Sequence, residues 1–141
     1  MKNFDFIKEL EEEIPAFHQL HAYCDKAEIF QKAFPEDSAT NARKALEWLV
    51  KNHLAMAKVT LEPHETLSQM LKRPEIDAFV NEDWELIQDM RTVKKIGNYA
   101  AHTGTQKIRK NDAFICLRAL YHVACGFLYR WQAIREIAAF D

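Results

Sequence analysis

A chain of 141 residues and 16.5 kDa suits one domain and is long enough to bury a real core. With 48% hydrophobic and 28% charged residues it is an ordinary globular mixture, and only 3 Gly and 4 Pro argue against an all-β sandwich or barrel with many tight turns. Nineteen basic against 21 acidic side chains leave a formal charge of −2, which excludes a global attraction to nucleic acid or anionic membrane and leaves room only for local patches.

The opening MKNFDFIKELEEE is too acidic for a signal or transit peptide, and no stretch approaches ~18 consecutive apolar residues, so neither export nor a membrane span is expected. Cys24, Cys116 and Cys125 are odd in number and lack CxxC spacing, which speaks against a disulfide framework or zinc knuckle. Reduced thiols in a cytoplasmic protein are the expectation.

In chain order, residues 4–13 predict a short helix. Pro15 can sit in the first turn of a helix running to about Phe34, whose stripe is Phe17, Leu20, Cys24, Ala27, Phe30 and Phe34. Pro35 is expected to stop it. Asp37 or Ser38 is the expected N-cap of a second helix over roughly 38–58, with the stripe Ala42, Ala45, Leu49, Val50, His53 and Ala57 and an i,i+4 pair of Arg43 and Glu47. Pro63 and Pro74 bracket a short helix, LSQMLKR, capped by Thr66. A further helix is expected from about Glu82 to His102, with Asn81 as cap. HTGTQKIRKND reads as a loop with Gly104 as breaker and Asn111 or Asp112 as the next cap. The last helix, about 112–138, carries the longest stripe, from Ala113 through Leu117, Leu120 and Phe127 to Ala138, and should pack centrally. The sum is an all-α bundle of four main helices and one or two short ones, in a single domain over residues 1–141.

The informative segment runs from Arg91 to His102. At about 100° per residue, Arg91, Lys95, Asn98 and His102 fall on one narrow stripe with Lys94 beside it, while Met90, Val93, Gly97 and Ala101 occupy an adjacent face. Gly97 costs roughly 1 kcal/mol against Ala inside a helix and is tolerable where another element packs close. Lys107, Arg109 and Lys110 follow in the loop, and with Arg91, Lys94 and Lys95 they form a candidate phosphate-binding patch. Charged helix faces are common on soluble proteins, so spacing alone also allows a plain solvated face with one boundary histidine.

At these residues the sequence resembles a family. IGNYAAH, with Lys94 and Lys95 before it, is similar to the R-x-(I/L)-G-N-x-A-x-H signature of a helical domain in the HEPN superfamily, often found at the N-terminus of the R subunit of type I restriction enzymes. NFDFI near the start, Ala27-Glu28 followed by Phe30 and Pro35, Arg43-x-x-x-Glu47, and Thr66-Leu67 resemble further pieces of that domain in order, so the resemblance spans nearly the whole chain. It implies a HEPN-like bundle acting as a non-catalytic, nucleic-acid-associated interaction domain, with a second copy, DNA or RNA, and other restriction–modification subunits as expected partners. It also implies that any nuclease or ATP-dependent translocase activity belongs to a longer parent chain.

A different reading of the same resemblance is a small HEPN endoribonuclease of a toxin or phage-defence system, in which His102, Asn98 and Arg91 would be catalytic. HEPN ribonucleases pair an Arg, usually followed by a polar residue, with a His several positions on. Here Asn98 and His102 match the latter two, but Gly97 stands where the Arg is expected. A third reading is a helical dimerisation module without nucleic-acid contact. No cofactor is implied. His18, His21 and Cys24 share a helix side without an evident fourth ligand, so no metal site is expected. Arg118 and His122 read as the polar edge of the last helix or as facing the Asn98 stripe; Trp84 reads as closing a bundle end or joining a partner surface.

Overall fold

The computed structural model describes residues 2–101 and 107–141. Among them are seven helices and no strand: α1 (Asp5–Glu11), α2 (Phe17–Phe30), α3 (Pro35–Met56), α4 (Leu67–Met70), α5 (Pro74–Val80), α6 (Trp84–Ala101) and α7 (Lys110–Arg130). The expected all-α bundle is therefore present, with four main helices and three short ones. The additional short helix is α5, opened by Pro74 at its first position.

Each main helix buries the face its periodicity marks out. Phe17, Leu20, Cys24 and Ala27 face inward from α2, and twelve residues of α7 are buried, among them Leu117, Leu120 and Phe127. α3 lies between α2, α6 and α7, so the centre of the bundle belongs to α3 as much as to α7. Its small residues allow this. Ser38, Ala39, Ala42 and Ala45 are buried along one side, and the Ser38 hydroxyl donates to the Ala27 carbonyl at 2.6 Å. Ser38 is thus a tie between α2 and α3 inside the helix rather than its N-cap. Pro35 does not merely stop what precedes it. Its fixed φ and missing N–H suit the first position of α3, and the residue before it, Phe34, is held out of the helical region at φ −134° and ψ 67°. α2 accordingly ends at Phe30.

Helix ends elsewhere depart from expectation for a shared reason. α3 stops at Met56 because Lys58 adopts φ 61°, with Val59 N–H donating to Leu54 O at 2.9 Å and Lys58 N–H to Ala55 O at 3.0 Å. α7 stops at Arg130, and not near Ala138, because Gln132 adopts φ 63° with the same pair of bonds: Ala133 N–H to Leu128 O at 2.8 Å and Gln132 N–H to Tyr129 O at 3.0 Å. Both are Schellman endings built on residues other than glycine. Asn81 ends α5 at φ 47°, and the cap of α6 is Asp83, whose Oδ1 accepts the Leu86 N–H at 3.1 Å. α4 has the expected cap: Thr66 and Gln69 exchange side-chain-to-backbone bonds at 3.2 and 2.8 Å.

After α7 the chain folds back over the bundle. The Tyr121 hydroxyl donates to the Ala138 carbonyl, Phe140 packs against Phe114 and Tyr121, and Asp141 N–H donates to Asn3 Oδ1 at 2.8 Å. By length and composition α7 is apolar enough to cross a membrane, but 61% of its apolar stretch is buried against the other helices.

The helices run alternately. Gly97 near the end of α6 lies against Ala39 and Arg43 near the start of α3, whereas Asp83 at the start of α6 meets Arg130 at the end of α7. One end of the bundle therefore collects the α2–α3 turn, the first turns of α3, the last turns of α6 and the start of α7. α4 and α5 lie toward the other end, where Phe79 of α5 meets His53 and Trp131.

Candidate nucleic-acid interface

α6 buries Leu86, Met90, Val93 and Gly97, one residue per turn, and turns its remaining faces outward. Arg91 and Lys95 are exposed; Lys94 and Asn98 are half-buried at the edge of the contact with α3. Ala101, expected on the buried face, is exposed. His102, together with Gly104, lies outside the described residues, so the stripe is placed only as far as Asn98.

The segment leading into α7 is positioned by one apolar side chain. Ile108 is buried, and its neighbours Lys107 and Arg109 are exposed on the extended backbone either side of it. α7 begins at Lys110, two residues earlier than expected. Asp112 accepts the Arg109 N–H at 3.0 Å, and Gln31 at the end of α2 donates to the Lys110 carbonyl at 2.9 Å. That last bond brings the exposed Lys32 to the same end of the bundle. Lys32 carries no signal in the sequence, because only the α2–α7 contact gives it these neighbours.

Arg91, Lys94, Lys95, Lys107, Arg109 and Lys110 have no carboxylate within 4.0 Å among the described residues. Glu36 and Asp37, exposed in the first turn of α3, supply negative charge at this end and complement that helix's dipole. The expected Arg43–Glu47 pair is long, 4.0 Å, and Glu47 is drawn instead to Lys51 at 3.0 Å.

The other sequence-level candidates lie apart. His122 meets Asp89 of α6 at 3.5 Å, more than two turns before Asn98, so it does not face the stripe. Burial raises the Asp89 carboxyl, and His122 works against that rise. Cys24 is fully buried, whereas His18 bonds Glu11 at 2.9 Å on the surface, so His18, His21 and Cys24 do not converge. No grouping of three metal-binding side chains occurs among the described residues. Burial raises all three thiols, Cys116 to about 12 and Cys125 to about 11, and none is in a disulfide. Trp84 stands 72% exposed beside a groove lined by Leu71, Ile76, Val80 and Ile87 and by the charged Asp77, Glu82 and Arg91, so Arg91 faces the α5 end and is not brought together with Lys107, Arg109 and Lys110.

No family model matches this chain, and no curated protein and no solved structure matches it.

Proposed function

We propose that the chain is a HEPN-like, non-catalytic domain that associates with nucleic acid, in the manner of the N-terminal domain of a type I restriction R subunit or a free-standing relative. The observation that carries this reading is the set of Lys94 and Lys95 on α6 and Lys107, Arg109 and Lys110 at the entry to α7, with Arg91 further back along α6, none with a salt-bridging carboxylate among the described residues. A cation already paired has little to offer a phosphate, whereas an unpaired one releases the counterions that a phosphate backbone holds. The modest net charge makes this a local interaction, steeply salt-dependent.

The reading is non-catalytic because the helix position before Asn98 is a glycine buried against α3. Arg91 starts nearly two turns away, about 9 Å along the axis. Lys94 and Lys95 are closer but offer a point charge where a guanidinium offers a fork. A second copy of the chain and other restriction–modification subunits are the protein partners that belong to the same proposal.

The test is fluorescence anisotropy with labelled single-stranded RNA and duplex DNA. Wild-type protein binds at low salt, and the double variant Lys94→Glu, Lys95→Glu does not. Failure of both nucleic acids to bind at low salt would replace this reading with a protein–protein module. RNA cleavage by the pure protein that vanishes in His102→Ala would replace it with a ribonuclease.

A further inference from the structure

α3 and α6 pack along their length, and at Gly97 they come too close for a side chain. A Cβ built on Gly97 would fall 2.5 Å from the Arg43 Cβ, 3.1 Å from the Arg43 Cδ and 3.2 Å from the Ala39 carbonyl oxygen. The space that any other residue at position 97 would occupy is filled by the stem of Arg43. The guanidinium is thereby carried up beside the turn of α6 that bears Lys94 and Asn98. Asn98 follows Gly97 directly, its Cα ~3.8 Å from that of the glycine.

This guanidinium is poorly occupied. Its Nε is buried with no hydrogen-bond partner among the described residues. Its one ion pair among the described residues, from Nη1 to Glu47 Oε2, is 4.0 Å long, while Glu47 Oε1 meets Lys51 at 3.0 Å. The side chain as a whole is 31% exposed, so a ligand at the surface can reach the guanidinium through its outer part and not through the buried Nε. The paired arginines elsewhere differ: Arg73 grips Glu65 through two nitrogens, and Arg130 donates to both Asp83 and the Gly126 carbonyl. A buried donor without a partner is costly, and such a group in a folded protein calls for a reason.

We propose that Arg43, seated over Gly97, is a phosphodiester-binding residue of the nucleic-acid interface, its guanidinium completing from α3 the site that Lys94 and Asn98 begin on α6. The proposal rests on the nucleic-acid reading above. The ligand is a backbone phosphate of RNA or DNA, with two non-bridging oxygens that a guanidinium fork can meet at once. The missing side chain at position 97 admits the Arg43 stem from another helix, with Nη1 turned along α3 toward Glu47, a placement that sequence position alone does not show.

The experiment measures affinity for labelled single-stranded RNA and duplex DNA across roughly 50–200 mM salt. The proteins are wild type, Arg43→Gln, Arg43→Lys and, as a control on the same helix, Lys44→Gln, whose exposed side chain lies on the α2 side beside Gln19 and Tyr23, each checked by thermal melting. Arg43→Gln is expected to lose about tenfold in affinity and to flatten the slope of log K against log salt by ~0.7–0.9, the value of one phosphate contact. Arg43→Lys keeps the slope and loses part of the affinity, while Lys44→Gln behaves as wild type. If Arg43→Gln does not fold, the nitrogen-15 resonance of the Arg43 Nε–H in wild-type protein serves instead. It shifts on titration with the RNA if a phosphate meets it, and stays still if the arginine is structural. Wild-type affinity and slope in folded Arg43→Gln, with binding abolished by Lys94→Glu, Lys95→Glu, would overturn the role of Arg43 and leave the interface standing. No binding by wild-type protein would overturn both.

Discussion

The two ends of the bundle treat their charged groups differently. At the end formed by α5, the start of α6 and the last turns of α3 and α7, most polar side chains are paired within the fold, the buried Glu75 Oε1 being without a partner among the described residues. His53 stacks on Phe79 at 3.7 Å and accepts the Trp131 indole N–H at 3.1 Å, Phe79 meets Phe127 at 4.8 Å, and Asp83 both caps α6 and accepts Arg130 at 2.9 Å. Those bonds, the Leu86 N–H first, hold the Asp83 carboxyl below its usual range. At the opposite end, Arg43 keeps an unused buried donor, and Lys94, Lys95, Lys107, Arg109 and Lys110 meet no carboxylate among the described residues. One end spends most of its hydrogen-bonding capacity on the fold. The other leaves exposed cations without a carboxylate among the described residues, and those are what an external anion can meet.

The largest expected effects lie in what both ends share, the α7 stripe. Phe127→Ala at the satisfied end should cost about 3–5 kcal/mol and Leu120→Ala about 2–5 kcal/mol, since both side chains are fully buried. Chemical denaturation measures both, and a Leu120→Ala protein as stable as wild type would contradict the packing.

The two helical glycines sharpen the contrast. Gly97→Ala drives a Cβ into the Arg43 Cβ and the Ala39 carbonyl, atoms close to backbone that have little freedom to yield. Overpacking of about 1–3 kcal/mol is set against the ~1 kcal/mol gain in helix propensity, for a net loss of up to about 2 kcal/mol. Gly126→Ala meets the end of the Leu86 side chain at 3.2 Å, which can turn aside, and should be neutral or slightly stabilising. Equal effects of the two substitutions in denaturation would show that the approach at Gly97 is not special.

A smaller gain is expected at a helix end. Gln132 holds φ 63° without being glycine, so Gln132→Gly should relieve strain and add about 0.5–1 kcal/mol. A thermal melt reads this directly, as an increase or its absence.

The smallest effect is a pH dependence confined to the satisfied end. Burial holds His53 below its ordinary value, and its Nδ1 must stay unprotonated to accept from Trp131. The unfolded chain takes up that proton near pH ~6.5 while the folded chain resists it. The contribution is therefore complete above that pH and is lost as the pH falls toward the depressed folded value. Urea midpoints at neutral and mildly acid pH should draw closer together in His53→Gln than in wild type.

Periodicity was sufficient for the parts of this fold that burial dictates. The stripes of α2 and α7 and the helix carrying Arg91 to Asn98 follow from spacings of three and four, because apolar side chains must leave water wherever the chain later goes. The ends were less legible. Lys58, Asn81 and Gln132 close helices in a left-handed conformation for which glycine is the usual sign, and a chain with 3 glycines has little of that punctuation. Pro35 bears two readings, stop and start, and only the turn between α2 and α3 decides for the start. The candidate interface was legible along α6 and in the loop after it, where the cations lie close in sequence. Arg43 and Lys32 were not, since each joins that end of the bundle through packing between distant segments.

The comparison between the ends is tested most directly by mapping where nucleic acid touches the protein. Amide chemical shifts of the nitrogen-15-labelled chain, followed during titration with single-stranded RNA and then duplex DNA at low salt, should move at residues 94–98 and 107–110 and around Arg43. They should stay still around His53, Phe79 and Arg130. Shifts centred on the His53 and Trp84 end, or no shifts with either nucleic acid, would contradict the account.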